Sequence, residues 1–265
     1  MAAPERQILF ELAAAVEEGR PVVLATVVGT RRSAPRHSGT KMLIFADGET
    51  SGTVGGGEME ARVLTAATEV LADQHPRMLE YALVDPGRGD PGVCGGEVDI
   101  YLEPYMPRHT VYVVGCGHVG RAVIDLAHWL GYRTVAVDDR PELVTAEALP
   151  VADDRVVGSL ADLETPVAED ASIVLVTRNV DRDVLVIPEA LTTPARYIGV
   201  MGSTTRWRTV EKRLTEAGVT TDDLDRIRTP IGVEMQAETL EEIAVSIMAE
   251  IIGVNRSISS ASGPA

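Results

Sequence analysis

Three glycines between a strand and a helix constrain the fold of this chain more than any other feature. The run VYVVGCGHVGRAV sets Gly115, Gly117 and Gly120 at G-x-G-x-x-G spacing. The residues before it are β-branched. Those after it carry an apolar stripe at helical spacing: Val119, Ala122, Val123, Leu126, Ala127 and Leu130. Asp138 ends the next strand, 23 residues after Gly115, close to the offset of about 20 at which a dinucleotide fold holds a ribose. In such a fold the first glycine permits the tight turn, the second lets a pyrophosphate reach the backbone, and the third lets helix and strand pack closely. The helix start adds unpaired N–H groups and the positive end of its dipole. From about His109 onward the chain therefore reads as a Rossmann-type domain. Asp138 is expected to accept from an adenosine ribose, with Asp139, Arg140 and His118 beside it. Glycines that serve strand–helix packing alone are the alternative. His118 either faces a ligand or sits in solvent as part of the helix start. Cys116 reads as a small packing residue rather than a nucleophile.

The pattern that follows is strict strand–helix alternation, the sign of a parallel sheet with right-handed crossovers. The strands are TVYVVG, RTVAVD, DRVVG, ASIVLVT and ARYIGVMG. The helices are HVGRAVIDLAHWL, a short one after Pro141, RDVLVIPEALT and TRWRTVEKRLTEAG. Two strand ends are polar, as ligand-facing ends of open α/β sheets are. One is Arg178-Asn179-Val180-Asp181. The other is Gly202-Ser203, with Arg206 and Arg208 in the next turn. Thr239 and Glu242 form a capping box for a last helix. Its stripe of Leu240, Ile243, Ala244, Ile247, Met248 and Ile251 either closes the sheet or forms a dimer face.

Residues 1–106 read as a smaller α+β domain with Gly-rich loops. Pro104 and Pro107 mark its end, since each blocks continued pairing. The fold class is thus α/β: a C-terminal Rossmann-type parallel sheet with helices on both faces (107–256), the smaller N-terminal domain, and a disordered tail (257–265). In the first domain Asp47-Gly48 suits a tight hairpin. Arg31, Arg32, Arg36, His37 and Lys41 crowd one loop and its flanks, the densest cationic run in the chain. It is either a solvated surface or an anion site. Gly55-Gly56-Gly57 precedes a helix and is expected to leave its first N–H groups open to an anion. Cys94 is followed by Gly95-Gly96 in a polar loop. It is either a ligand or sulfur-handling group or a buried inert thiol.

Composition narrows the function classes. Aromatics are only 4%, so the core must come from Val, Ile, Leu and Ala. A formal net charge of -16 argues against general nucleic-acid or membrane-surface binding. Two cysteines in different domains give neither a disulfide framework nor a zinc site. A cytoplasmic protein with reduced thiols is expected.

These residues carry a family resemblance. LATVVGTRRSAPRHSGTKMLIFADGETSGTVGGGEMEARV and GVCGGEVDIYLEP resemble the first domain of the XdhC/CoxI family. VYVVGCGHVGRAV, VAVDDRPE, YIGVMGSTTRWRTVEKRL and PIGVEMQAETLEEIAVSIMAEIIGVNR resemble its Rossmann domain and closing segment. The match covers about residues 10–256, with several independent motifs in the same order. The resemblance implies an accessory factor for molybdenum hydroxylases such as xanthine dehydrogenase. Such a factor binds molybdenum cofactor, supports its sulfuration by a cysteine desulfurase, and hands it to the apo-enzyme. It also implies Cys94 as the residue that contacts the metal or its sulfur. Arg36, Gly55, Gly56, Gly57, Gly95 and Gly96 would line the cofactor site. Gly115, Gly117, His118, Gly120, Asp138, Asp139, Arg140, Gly202 and Ser203 would line a site for NAD(P) or another nucleotide. Two departures stand out. Many members have a cysteine directly after the first Gly-Gly, where this chain has Gly57 and Glu58. Many carry a histidine after the fourth Rossmann strand, where this chain reads Thr177-Arg178-Asn179-Val180. The other readings are an NAD-dependent oxidoreductase and a nucleotide-sensing regulator. A homodimer is expected.

Overall fold

A computed structural model describes residues 3–31, 37–82 and 96–259. The chain divides into two compact units, Met1–Pro107 and Arg108–Ala261.

In the first unit α1 (Ala3–Glu17) leads into β1 (Val22–Arg31), β2 (Lys41–Phe45) and β3 (Thr50–Gly52). Then come α2 (Gly57–Asp73), β4 (Arg77–Ala82) and β5 (Glu97–Tyr105). The strands form one antiparallel sheet in the order β3-β2-β1-β5-β4. Both faces are covered, so β1 is apolar on both. Val22 and Leu24 face α1 with Ile8, Leu12, Ala15 and Leu43. Val23, Ala25 and Val27 face α2 with Met59, Val63, Ala67 and Val70. That is the period-2 alternation of a strand between two helices. The β2–β3 turn places Gly48 at φ 86. Its N–H donates to Phe45 O at 3.0 Å, a three-residue loop that needs glycine at its last position.

Pro104 does not stop pairing. It lies inside β5 opposite Val23. The β4 register ends at Leu102, so at Pro104 the strand has a neighbour on one side only, and a missing N–H is tolerated there.

The second unit alternates strand and helix. Its strands are β6 (Thr110–Val114), β7 (Arg133–Asp138), β8 (Asp154–Val157), β9 (Ser172–Leu175), β10 (Tyr197–Val200) and β11 (Ile227–Arg228). Its helices are α3 (His118–Trp129), α4 (Val180–Leu191), α5 (Thr204–Glu216), α6 (Thr221–Leu224) and α7 (Leu240–Ser259). The sheet is parallel throughout, in the order β11-β10-β9-β6-β7-β8. The chain reverses direction across it between β6 and β9, which makes the switch-point crevice where open α/β sheets bind ligands. β11 and α6 are too short to announce themselves by periodicity. The helix expected after Pro141 is one 3-10 turn, Pro141–Leu143.

Thr239 and Glu242 cap α7 as expected: Thr239 N–H donates to Glu242 at 3.0 Å, and Glu242 N–H donates to Thr239 Oγ1 at 3.2 Å. Ala244, Ile247, Met248 and Ile251 are buried in one core with Val123, Ile124 and Ala127 of α3. These four, with Ile243 partly buried, close the sheet, and Leu240 at the start of the stripe stays exposed. α7 also continues through 257–259, which the sequence reading gave to a disordered tail. Among the described residues no helix is long and apolar enough to cross a membrane.

Candidate functional site

The register of the first unit brings its candidate segments to one end of the sheet. Arg31, at the end of β1, pairs with Glu97, at the start of β5. Ala82, at the end of β4, also pairs with Glu97. Lys41 opens β2 opposite Thr26, and Gly52 closes β3 opposite Met42. The Gly55–Gly57 turn follows the end of β3 on this side. Arg31 and Ala82 directly precede 32–36 and 83–95 in sequence, and Glu97 lies just after the second of these segments. Arg36, Cys94 and Gly95 lie outside the described residues, as does Arg32. Gly96 is buried directly before β5.

The described cations here are not all free. Arg31 donates to Glu97 at 3.0 Å and lies 3.6 Å from Asp99. Lys41 Nζ donates to Thr26 Oγ1 at 3.0 Å, and His37 is exposed.

The Gly-rich turn differs from expectation. Gly55, Gly56 and Gly57 have φ of 151, 83 and 63, a backbone that only successive glycines adopt readily. The turn's own Gly55 and Gly56 donors are taken, although no side chain caps the first N–H groups of α2. Glu60, one turn into α2, accepts from Gly56 N–H at 3.0 Å and from the Thr53 hydroxyl. Burial opposes ionisation of Glu60. Bonds from Thr53, Gly56, Gly55 and Val54 outweigh it and hold the carboxyl below its usual value. The turn thus carries its own anion. An incoming one must bind beside Glu60 or displace it. The open side lies at Gly56 and Gly57, where an added Cβ would meet nothing within 4 Å.

In the second unit the three fingerprint glycines divide as their spacing predicts. Gly115 has φ 105, and a Cβ there would lie 2.6 Å from Val176 O. At Gly120 it would lie 2.0 Å from Gly115 O. At Gly117, the N-cap of α3, it would meet nothing within 4 Å. Two glycines are needed for packing, and the third leaves the helix start bare for a ligand. His118 is exposed at the first position of α3.

Asp138 does not stand ready for a ribose. Its side chain is 1% exposed. One oxygen accepts from Cys116 N–H at 2.7 Å, and both accept from the Arg140 guanidinium at 2.9 and 2.8 Å. It ties the glycine loop to β7, which requires its own charge to be met by Arg140. Asp139 serves different partners. Arg178, just after β9, donates to both its oxygens at 2.9 and 3.0 Å, and Arg182 lies 3.8 Å away. The bonds from Arg178 hold Asp139 well below the usual carboxylate range. The crevice lined by Gly115, Asp138, Asp139, Arg140, Arg178 and Arg182 has a cavity of only about 10 Å³ with these pairs closed, room for about one water.

Cys116 is buried beneath this loop. Burial, with Asp138 nearby, pushes its thiol up to about 12. A nucleophilic thiolate is therefore absent near neutral pH. In a Cys94→Ser protein, a thiol reagent at pH 8 is expected to leave Cys116 unmodified until denaturant is added. Rapid labelling of the folded protein would contradict this.

Ser203 and Asn179 serve as helix caps. Ser203 Oγ accepts from Arg206 N–H at 3.2 Å, and Asn179 Oδ1 from Arg182 N–H at 2.9 Å. Arg206 turns inward. Its Nε donates to Asp183 at 2.8 Å, and a terminal nitrogen donates to Thr177 Oγ1 at 2.9 Å. Thr177 itself donates to Asp183. Arg208 is exposed. Sequence reasoning missed Glu60, Arg182 and Asp183. Asp183 had a readable signal. It occupies the buried stripe Asp183, Val186, Ile187, Ala190 of α4, where a carboxylate needs a partner. Among the described residues no group of His, Cys, Asp and Glu is placed to hold a metal ion.

Known proteins extend these observations. Residues 111–251 match the XdhC Rossmann domain, and residues 15–82 match the XdhC and CoxI family. The uncharacterized protein YqeB of Escherichia coli (strain K12) is 30% identical over 93% of this chain. This chain spans only 46% of YqeB. The molybdenum cofactor insertion chaperone PaoD of the same organism is 24% identical, over 94% of this chain and 88% of PaoD. A crystal structure described as a xanthine dehydrogenase from Bacillus halodurans shares the fold. Its TM-score is 0.53 at 23% identity, with 98% of each chain covered. The bare helix start at Gly117, the Asp138-tied glycine loop and the Gly55–Gly57 turn fall within matched segments, and the chain belongs to the XdhC and CoxI family.

Proposed function

We propose that this chain is an accessory chaperone that binds molybdenum cofactor and supports its sulfuration and insertion into a molybdenum hydroxylase of the xanthine dehydrogenase type. The observation that carries this reading is the register that brings the strand-end residues Arg31, Lys41, Gly52, Ala82 and Glu97 to one end of the first unit's sheet. In sequence these strand ends flank the basic segment with Arg36, the Gly55–Gly57 turn and the segment with Cys94. Family membership and the similarity to PaoD support it. A pterin cofactor carries a phosphate or nucleotide and an oxo-metal head. Arg36 suits the phosphate, because a guanidinium offers a planar fork of donors. The bare glycines suit close approach of the pterin to backbone. Cys94 suits the metal or its sulfur, and its thiolate character would rise if it neighbours the Arg cluster. The partners are the hydroxylase apo-enzyme and a cysteine desulfurase, and the site residues of this unit act on cargo without turnover. The second unit binds a nucleotide at the bare start of α3, either as part of the same ligand or as a separate signal.

Co-production with an apo-hydroxylase tests the proposal. The unsubstituted chain is expected to raise the active fraction of the hydroxylase. Arg36→Ala should weaken cofactor retention by about tenfold, the worth of one charge-assisted hydrogen bond. Cys94→Ser should yield hydroxylase that contains cofactor but lacks the terminal sulfur. Equal activation by all three proteins, or by none, would contradict it.

A further inference from the structure

We propose that the crevice of the second unit is a site for an adenine dinucleotide bearing a ribose 2′-phosphate, in preference to the form with a free 2′-hydroxyl. This rests on the reading that the unit binds a nucleotide. The ribose of a dinucleotide lies over the end of the second Rossmann strand, here β7 with Asp138, Asp139 and Arg140. By sequence alone, an acidic residue there disfavours a 2′-phosphate, although Arg140 nearby could offset it. The geometry reverses that. Asp138 is 1% exposed and its oxygens serve Cys116 N–H and Arg140. It faces the glycine loop and is not available to a ribose.

What faces the crevice is cationic. Three guanidiniums, Arg140, Arg178 and Arg182, meet two carboxylates, Asp138 and Asp139. The balance leaves one positive charge in excess, in a chain whose formal net charge is -16. Arg178 is 45% exposed and reaches Asp139 from the end of β9, so its fork bridges the two strand ends over the crevice. Arg182, 19% exposed, stands behind the same carboxylate and donates to Gly158 O. A 2′-phosphate would take the place Asp139 holds on Arg178 and Arg182, exchanging one bidentate anion for another. A 2′-hydroxyl is neutral and offers a single oxygen, so it could not replace a bidentate carboxylate on a guanidinium. It would have to share Asp139 with both arginines. Opening the Arg178–Asp139 bridge also enlarges a crevice that is too small for an adenosine while closed.

Calorimetric titration of the full chain with NADP⁺, NAD⁺, 2′,5′-ADP and inorganic phosphate tests this. NADP⁺ and 2′,5′-ADP should each bind at least about tenfold tighter than NAD⁺, the scale of a charge-assisted pair. Arg178→Ala and Arg182→Ala should each remove most of that preference, by weakening the binding of NADP⁺ and not of NAD⁺. Asp139→Asn deletes the internal competitor and should tighten NADP⁺. Several results would overturn the proposal: NAD⁺ binding as tightly as NADP⁺, an Arg178→Ala effect equal for both, or inorganic phosphate competing as well as 2′,5′-ADP. Absence of any nucleotide binding would overturn it together with the nucleotide reading of the unit. The cofactor-chaperone proposal, which rests on the first unit, would stand.

Discussion

Asp183→Ala is expected to destabilise the second unit by about 3–5 kcal/mol, the cost of removing one partner from a buried ion pair. The Asp183 side chain is 1% exposed and that of Arg206 is 22% exposed. The carboxylate receives Arg206 Nε at 2.8 Å, a terminal Arg206 nitrogen at 2.7 Å, and the Thr177 hydroxyl. Without it the guanidinium keeps only its bonds to Thr177 and its charge is left with no carboxylate partner, and α4 loses its tie to α5. Asp183→Leu with Arg206→Met should recover much of the loss, because an apolar pair of similar volume is often neutral at such sites. Both tryptophans, Trp129 and Trp207, belong to this unit. Trp207 packs against the core next to Arg206. Its fluorescence in a denaturant series reports this unit separately from the first. A single variant as stable as the parent would show that Arg206 finds another partner.

Gly120→Ala is the second large effect. Alanine in a helix is worth about 1 kcal/mol over glycine, so a sequence argument alone predicts a gain. The added Cβ would lie 2.0 Å from Gly115 O and 3.3 Å from a Val113 methyl. The nearer atom is backbone in a turn fixed by Gly115 and Asp138, so it cannot move aside as a side chain would. Overpacking of this kind costs about 1–3 kcal/mol or more. We expect a net loss of about 2 kcal/mol, or roughly 4–8 °C in Tm for a unit of this size. Gly117→Ala is the matched control. Its Cβ meets nothing within 4 Å, so it should leave stability unchanged and weaken nucleotide binding. Equal stability of the two variants would contradict the division of roles among the glycines.

The parallel sheet was legible because its strands are β-branched and each is followed by a helix with one apolar stripe. Gly115, Gly117 and Gly120 fall on the turn, the open helix start and the tight contact. The α7 cap was legible from Thr239 and Glu242, and the geometry then showed that the stripe packs on α3. What escaped depends on where side chains turn. Spacing places Asp138 at the end of β7 but not which way its carboxylate points. It points at Cys116 N–H, which leaves Asp139 to the arginines. The glycine triplet looked like an open anion nest, because its occupant, Glu60, is an ordinary-looking acid in the first turn of α2. Arg31 looked like part of a free cationic run. Its partners Glu97 and Asp99 are 66 and 68 positions along the chain and meet it only through the β1–β5 register. Pro104 misled because a proline's cost depends on whether both neighbouring strands are present, and β4 stops short of it.

The proposal that the first unit carries molybdenum cofactor is tested most directly by what the protein holds when purified. The full chain should be produced in a host that makes the cofactor, separated from small molecules by gel filtration, and its pterin measured by fluorescence after oxidation. The prediction is pterin co-eluting with the protein in near-stoichiometric amount, lost from Arg36→Ala and retained by Arg178→Ala. Pterin at background in the unsubstituted protein, or equal amounts in all three, would contradict it.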